Sequence, residues 1–92
     1  MHILYTLDAQ NDLNSLLDYI LKESPKNARI VLNRIERYIR LIASQPEMGR
    51  PGRVPHTREA IVPKTPFIIP YQVLGNKLII LRIYHCSQKW DF

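Results

Sequence analysis

Apolar residues recur at helical spacing along the first half of this chain and at strand spacing along the second. Leu13, Leu16, Leu17, Ile20 and Leu21 define one face of a helix, with Asn11, Asp12, Asn14, Asp18 and Lys22 between them. Asp8 is placed to cap its start, because a carboxylate there accepts from backbone N–H groups that lack an intrahelical partner. Ser24-Pro25 then supplies a cap residue followed by proline at the first helical position, where the missing N–H costs nothing. A second helix is expected from about Pro25 to Ser44, ended by Gln45-Pro46. Its apolar face is Ala28, Val31, Leu32, Ile35, Tyr38 or Ile39, and Ile42, with Arg29, Arg34, Arg37 and Arg40 around the remainder. Only about three residues separate the two helices, which forces an antiparallel hairpin.

Residues 2–6 read as a short strand, and strand character returns after the second helix. Thr57 to Val62 makes one strand, Pro63-Lys64-Thr65-Pro66 turns the chain, and Phe67 to Leu74 makes the next. Gly75-Asn76 is a two-residue hairpin signal leading to a last strand from Lys77 to about His85. Leu78-Ile79-Ile80-Leu81 is apolar on both faces, which predicts a central strand. Pro70 cannot donate a ladder bond, so an edge or a bulge is expected there. Simple alternation puts Ile79, Leu81 and Ile83 under the helical hairpin and Leu78, Ile80, Arg82 and Tyr84 on the other face. Arg82 would then carry its charge where the helices do not cover, or lay its stem along apolar neighbours. The predicted order is β-α-α-β-β-β: an α+β fold in one domain spanning residues 1–92, a small antiparallel sheet packed against an N-terminal helical hairpin.

Composition narrows the class. Ninety-two residues at 46% hydrophobic content supply one modest core. The single cysteine, Cys86, excludes an internal disulfide and a cysteine-based metal cluster. His2, His56, His85 and Cys86 lack any close ligand spacing, so neither a metal nor a cofactor is expected. No apolar run approaches the roughly 18 residues of a membrane span, and the N-terminus lacks the pattern of a signal peptide. A soluble, cytoplasmic protein with no membrane partner is the expectation.

The net charge of +5 is unevenly placed. Residues 1–47 balance to zero, whereas residues 48–92 carry seven Lys/Arg against Glu59 and Asp91 and hold the whole excess. That asymmetry suits an anionic partner, although a merely solvated surface has the same composition. Much of it falls between Glu47 and Glu59, where Arg50, Arg53 and Arg58 are interleaved with two glycines and two prolines. Such a loop presents fixed positive charge on a stiff backbone, suited to docking against phosphate or carboxylate.

The element order, the loop Met48-Gly49-Arg50-Pro51-Gly52-Arg53-Val54-Pro55 and the ending carry a resemblance. So do Asp12-Leu13, Tyr19-Ile20, Ser24-Pro25, Thr57-Arg58-Glu59, Pro66-Phe67-Ile68-Ile69-Pro70-Tyr71-Gln72-Val73 and Ile80-Leu81-Arg82-Ile83-Tyr84-His85. Over nearly its whole length the chain resembles toxins of bacterial toxin–antitoxin modules in the RelE/ParE superfamily. The resemblance implies a small antiparallel sheet on a helical hairpin and a cognate antitoxin that wraps and silences the toxin. It also implies one of two activities. RelE-like members enter the ribosome and cleave messenger RNA, using Arg/Lys to steady the phosphorane charge and a Tyr, His or Glu for proton transfer. ParE-like members bind DNA gyrase and trap its broken-DNA intermediate.

Departures from the pattern favour the ParE-like branch. Many RNA-cleaving relatives carry an arginine three residues before a tyrosine on the middle strand, where this chain has Ile68 before Tyr71. Glu59-Ala60-Ile61-Val62 also lacks the lysines of RelE-type enzymes. Each missing donor would cost an enzyme about 3–4 kcal/mol of transition-state stabilisation. The resemblance therefore implies a non-enzymatic gyrase inhibitor, with Arg50, Arg53 and Arg58 docking on the target and Arg82, Lys89 and Trp90 supporting them. The alternative is a ribosome-dependent, metal-independent mRNA endonuclease with His85, Arg58 and Arg82 as its proton-transfer and phosphate residues. A toxin that has lost its target but still binds its antitoxin is a third reading. His56 and Cys86 stand where relatives often have glycine.

Overall fold

Thr6, not Asp8, starts the first helix. In the computed structural model, which describes residues 1–87, the Thr6 hydroxyl oxygen accepts from the Ala9 N–H at 3.0 Å. The same hydroxyl donates to the Leu81 carbonyl at 2.8 Å, tying the helix start to the sheet in a way Asp8 could not. Asp8 lies within the first turn, where its charge still complements the helix dipole. Helix α1 covers Leu7–Glu23 and α2 covers Pro25–Ser44. Ser24 alone connects them, a tighter hairpin than the expected three residues. Its N–H donates to the Ile20 carbonyl to close α1, and its hydroxyl oxygen accepts from the Asn27 N–H at 3.2 Å to open α2.

The strands are β1 (His2–Tyr5), β2 (Arg50–Pro51), β3 (Arg58–Ile61), β4 (Phe67–Leu74), β5 (Lys77–Ile80) and β6 (Tyr84–His85). They lie in the order β1-β5-β4-β3-β2, with β6 also paired to β4. The α+β class holds, but β1 runs parallel to β5, so the sheet is mixed rather than wholly antiparallel. The short β2 pairs with β3, a hairpin that the broken sequence of the basic loop did not reveal.

The core lies between α2 and one face of the sheet. Ile35, Ile39 and Ile42 of α2 are fully buried against Ile69, Tyr71, Leu78, Ile80 and Ile83. Each such side chain contributes about 1.5–3 kcal/mol of burial free energy. From α1 only Ala9 is fully buried, while Leu13, Leu16 and Ile20 pack partly against this cluster. Leu17 is half-buried and Leu21 is 48% exposed, so the helix buries a narrower stripe than its sequence offers.

The last strand is interrupted, and the interruption reverses the expected face assignment. Tyr71 pairs with Ile80 and Ile68 pairs with Tyr84, leaving two residues on β4 opposite three on the other strand. This one-residue bulge sits beside Pro70, whose carbonyl accepts from the Leu81 N–H at 2.9 Å and whose missing N–H faces the irregular segment. The bulge expected at Pro70 is therefore present, but on the partner strand; β4 itself is central. Before the bulge, Leu78 and Ile80 face the helices and Ile79 does not; after it, the period resets and Ile83 joins the core. Leu81 and Tyr84 share the opposite face with Ile68 and Val54.

Candidate functional site

The basic loop is held from below by two buried side chains. The Tyr71 hydroxyl donates to the Pro46 carbonyl at 2.7 Å and accepts from the Gly49 N–H at 2.9 Å. A Cβ on Gly49 would stand 2.5 Å from that hydroxyl, so only glycine lets the backbone approach. Burial pushes the Tyr71 phenol above its usual range, against the Gly49 bond and the nearby Arg58, which pull it down. Glu59, only 3% exposed, accepts from the Arg53 N–H at 3.1 Å and from the Arg50 guanidinium at 3.3 Å. Burial also raises the Tyr84 phenol, which lies in the combined field of Glu59, Arg53 and Arg50. The loop thus covers the sheet face opposite the helices, with Val54 on Ile68 and Tyr84.

Within the loop, the Thr57 hydroxyl donates to the Val54 carbonyl at 2.6 Å and closes a tight turn. The turn puts His56 at φ 67°, a left-handed conformation that an ordinary side chain resists. His56→Gly is expected to raise stability by about 1 kcal/mol, less the entropy glycine adds to the unfolded chain. A denaturant midpoint unchanged or lowered by the substitution would contradict this.

The three arginines of the loop have different occupations. Arg58 donates to the Gly49 carbonyl at 2.7 Å and to the Glu47 carbonyl at 3.2 Å, so it braces the junction between α2 and the loop. Arg50 lies over Glu59. The exposed Arg53 guanidinium has no bonded partner among the described residues, only its backbone N–H being engaged.

Arg82, His85 and Arg58 do not meet. Arg82 lies on the helix side rather than the uncovered face, in a two-pronged pair with Asp12 of α1 at 2.7 and 2.9 Å. Hydrogen bonding to Asp12 raises the Arg82 pKa further above its ordinary value. Asp12 also accepts from the Ile83 N–H at 3.0 Å, which the bulge leaves without a ladder partner. His85 pairs opposite Phe67, with its ring edge-on to the phenyl at 6.0 Å. Its Nδ1 accepts from the Ser87 N–H at 3.1 Å. Arg58 pairs opposite Tyr71, four residues along β4 and roughly 13 Å away. Lys89 and Trp90 lie outside the described residues.

A second surface lies between the helices and the sheet. An apolar groove of about 810 Å³ runs between the helical hairpin and the β6 end of the sheet, lined by Asp12, Tyr19, Ile30, Phe67, Tyr84 and His85 among others. Tyr19, one of the residues that carry the family resemblance, is 70% exposed along its wall. The available signal was its position at the flank of the Leu13–Leu16–Ile20 stripe. Among the described residues, no cluster of His, Cys, Asp and Glu is arranged to hold a metal, and no helix is long and apolar enough to cross a membrane.

Residues 3–90 match the family model of the ParE toxin of the type II toxin–antitoxin system parDE. The protein Y4kP of Sinorhizobium fredii, assigned as a toxin, is 38% identical over 88 residues, covering 96% of this chain and 91% of that one. Toxin RelE2 of Caulobacter vibrioides is 30% identical over 86 residues, covering 94% and 96%. A solved structure from the chromosomal ParDE system of P. aeruginosa superposes with a TM-score of 0.81 at 28% identity, covering 92% of this chain and 95% of that one. The chain belongs to the ParE toxin family, within the RelE/ParE superfamily of type II toxin–antitoxin toxins. Membership implies a cognate antitoxin as its partner.

Proposed function

We propose that this toxin is a cytoplasmic, non-enzymatic inhibitor of DNA gyrase that docks through its basic loop. The observation carrying this reading is the contrast between a loop that is rigidly built and a catalytic set that does not assemble. The loop rests on Tyr71 and Glu59 and offers Arg53 outward, with Arg50 beside it. His85, Arg58 and Arg82 are each bonded elsewhere and share no point where a phosphate could sit. Ile68, at the position of an arginine in many RNA-cleaving relatives, is buried under the loop beside Tyr84. The antitoxin is assigned to the apolar groove, where an amphipathic segment would cover Tyr19, Ile30 and Phe67.

The test adds toxin freed from its antitoxin to gyrase of the source organism with supercoiled DNA and ATP. Linear DNA released by protease and detergent is the expected result, and Arg53→Glu should reduce it at least tenfold while His85→Ala leaves it intact. Supercoiling unaffected by active toxin would overturn the gyrase reading and direct the search to the ribosome. There, loss of messenger RNA cleavage in His85→Ala would establish the nuclease alternative, the activity implied by resemblance to RelE-like toxins.

A further inference from the structure

On the far side of Arg34 from the groove lies a smaller open cleft of about 260 Å³, between α2 and the turn joining β3 to β4. Its floor is Leu41, Tyr38 and Val62, and its rim is Arg34, Arg37 and Lys64, with no acidic residue in the lining among the described residues. Leu41 is 42% exposed, an apolar side chain left open at the base of three cations. Among the described residues, neither Arg37 nor Lys64 takes part in a salt bridge. Arg34 donates to the Lys64 carbonyl at 3.3 Å and so holds the turn against the helix. Lys64 itself adopts φ 61°, a left-handed conformation that fixes the course of the turn on the cleft rim.

We propose that this cleft is a second docking point for the antitoxin, taking one large apolar side chain flanked by carboxylates. The apolar side chain of the peptide lies on the floor of Leu41, Tyr38 and Val62. The carboxylates meet Arg37, Lys64 and the remaining donors of Arg34. A nucleic-acid backbone fits less well, because its phosphates would satisfy the rim and leave the floor uncovered. Arg34 borders both the groove and the cleft, so the two form one continuous track. From Ile30 to Leu41 the track follows α2 for about 16 Å, which an extended peptide crosses in roughly five residues. The inference rests on the assignment of the antitoxin to the groove for the source of the peptide, not for its chemistry.

The experiment measures binding of the co-purified antitoxin to wild-type toxin, to the cleft variant Arg37→Glu/Lys64→Glu and to the groove variant Ile30→Asp. A 20-base-pair DNA duplex serves as the second probe. All three substituted side chains are exposed, and circular dichroism verifies the fold; Lys64→Glu alone replaces the double variant should that one lose its helical signal. The cleft variant is expected to weaken antitoxin binding at least tenfold, by a factor that shrinks as salt rises, and Leu41→Ser to weaken it about threefold. Wild-type antitoxin affinity in the cleft variant would overturn the proposal, as would a variant that loses the DNA duplex but keeps the antitoxin. An undiminished Ile30→Asp beside a weakened cleft variant would remove the groove assignment and leave the cleft standing.

Discussion

Replacing Asp12 by alanine is expected to destabilise this toxin by about 2–3 kcal/mol, more than its place on a half-exposed helix surface suggests. The carboxylate has two duties. It receives Arg82 through both oxygens and also caps the Ile83 N–H, which the bulge beside Pro70 has removed from the sheet ladder. Alanine leaves that N–H unsatisfied in a largely buried setting, which costs about 1–3 kcal/mol, and strands a guanidinium whose partner is gone. For a domain of this size the melting temperature should fall by roughly 10–20 °C. Arg82→Ala should cost less, about 1 kcal/mol, because Asp12 would still cap Ile83. Equal losses in the two variants would mean that the ion pair, rather than the cap, is the stabilising element.

Glu59→Ala should have its effect on the opposite face. Glu59 is a buried carboxylate under the loop, and it engages Arg53 through the backbone and Arg50 through the side chain. Its removal should cost about 2 kcal/mol globally, mostly from the orphaned Arg53 N–H, since Arg50 is too exposed for its pair to contribute much. Locally the effect should be larger. The Gly52 amide bonded to Thr57, and the Thr57 amide itself, should exchange with solvent far faster than amides of β4. On the gyrase reading proposed above, poisoning should fall with the ordering of the loop, whereas Glu59→Gln, which keeps one acceptor oxygen, should retain part of it. Unchanged amide protection in Glu59→Ala would show that Tyr71 and Gly49 hold the loop unaided.

The elements that local pattern controls were legible in the sequence. Ser24-Pro25 fixed the start of α2, the apolar spacing gave its buried face, and Phe67–Leu74 was bounded by its turns. What escaped detection depends on partners far along the chain. Thr6 outcompetes Asp8 as the cap because its hydroxyl also reaches the Leu81 carbonyl, a choice that only the folded sheet can make. Period-two alternation failed across residues 81–83 because one bulged residue inverts every side chain beyond it. Pro70 announced an irregularity but not which strand would carry it. In the candidate site, the charges of Arg50, Arg53, Arg58 and Arg82 were visible, but not their occupations. Nothing local to Arg82 indicates a carboxylate 70 positions earlier, and nothing local to Arg58 indicates that it serves two backbone carbonyls. The groove and the cleft, made by elements distant in sequence, left only the faint trace of Tyr19 and Leu41 standing off the buried stripes.

The parallel pairing of β1 with β5 has a consequence for how the toxin is born. Strand β1, the Thr6 cap and Asp12 all find their partners between residues 77 and 83, so the first dozen residues cannot settle until those positions have been synthesised. At about 5–20 residues per second, some 4–14 seconds separate the emergence of Asp12 from that of Arg82. During that interval the helical hairpin is exposed without its sheet, and the basic loop lacks the Tyr71 and Glu59 scaffold in its finished form. The groove lined by Phe67, Tyr84 and His85 waits for the same late strands as the loop scaffold, so the surface proposed for the antitoxin and the surface proposed for the target are completed together rather than in turn.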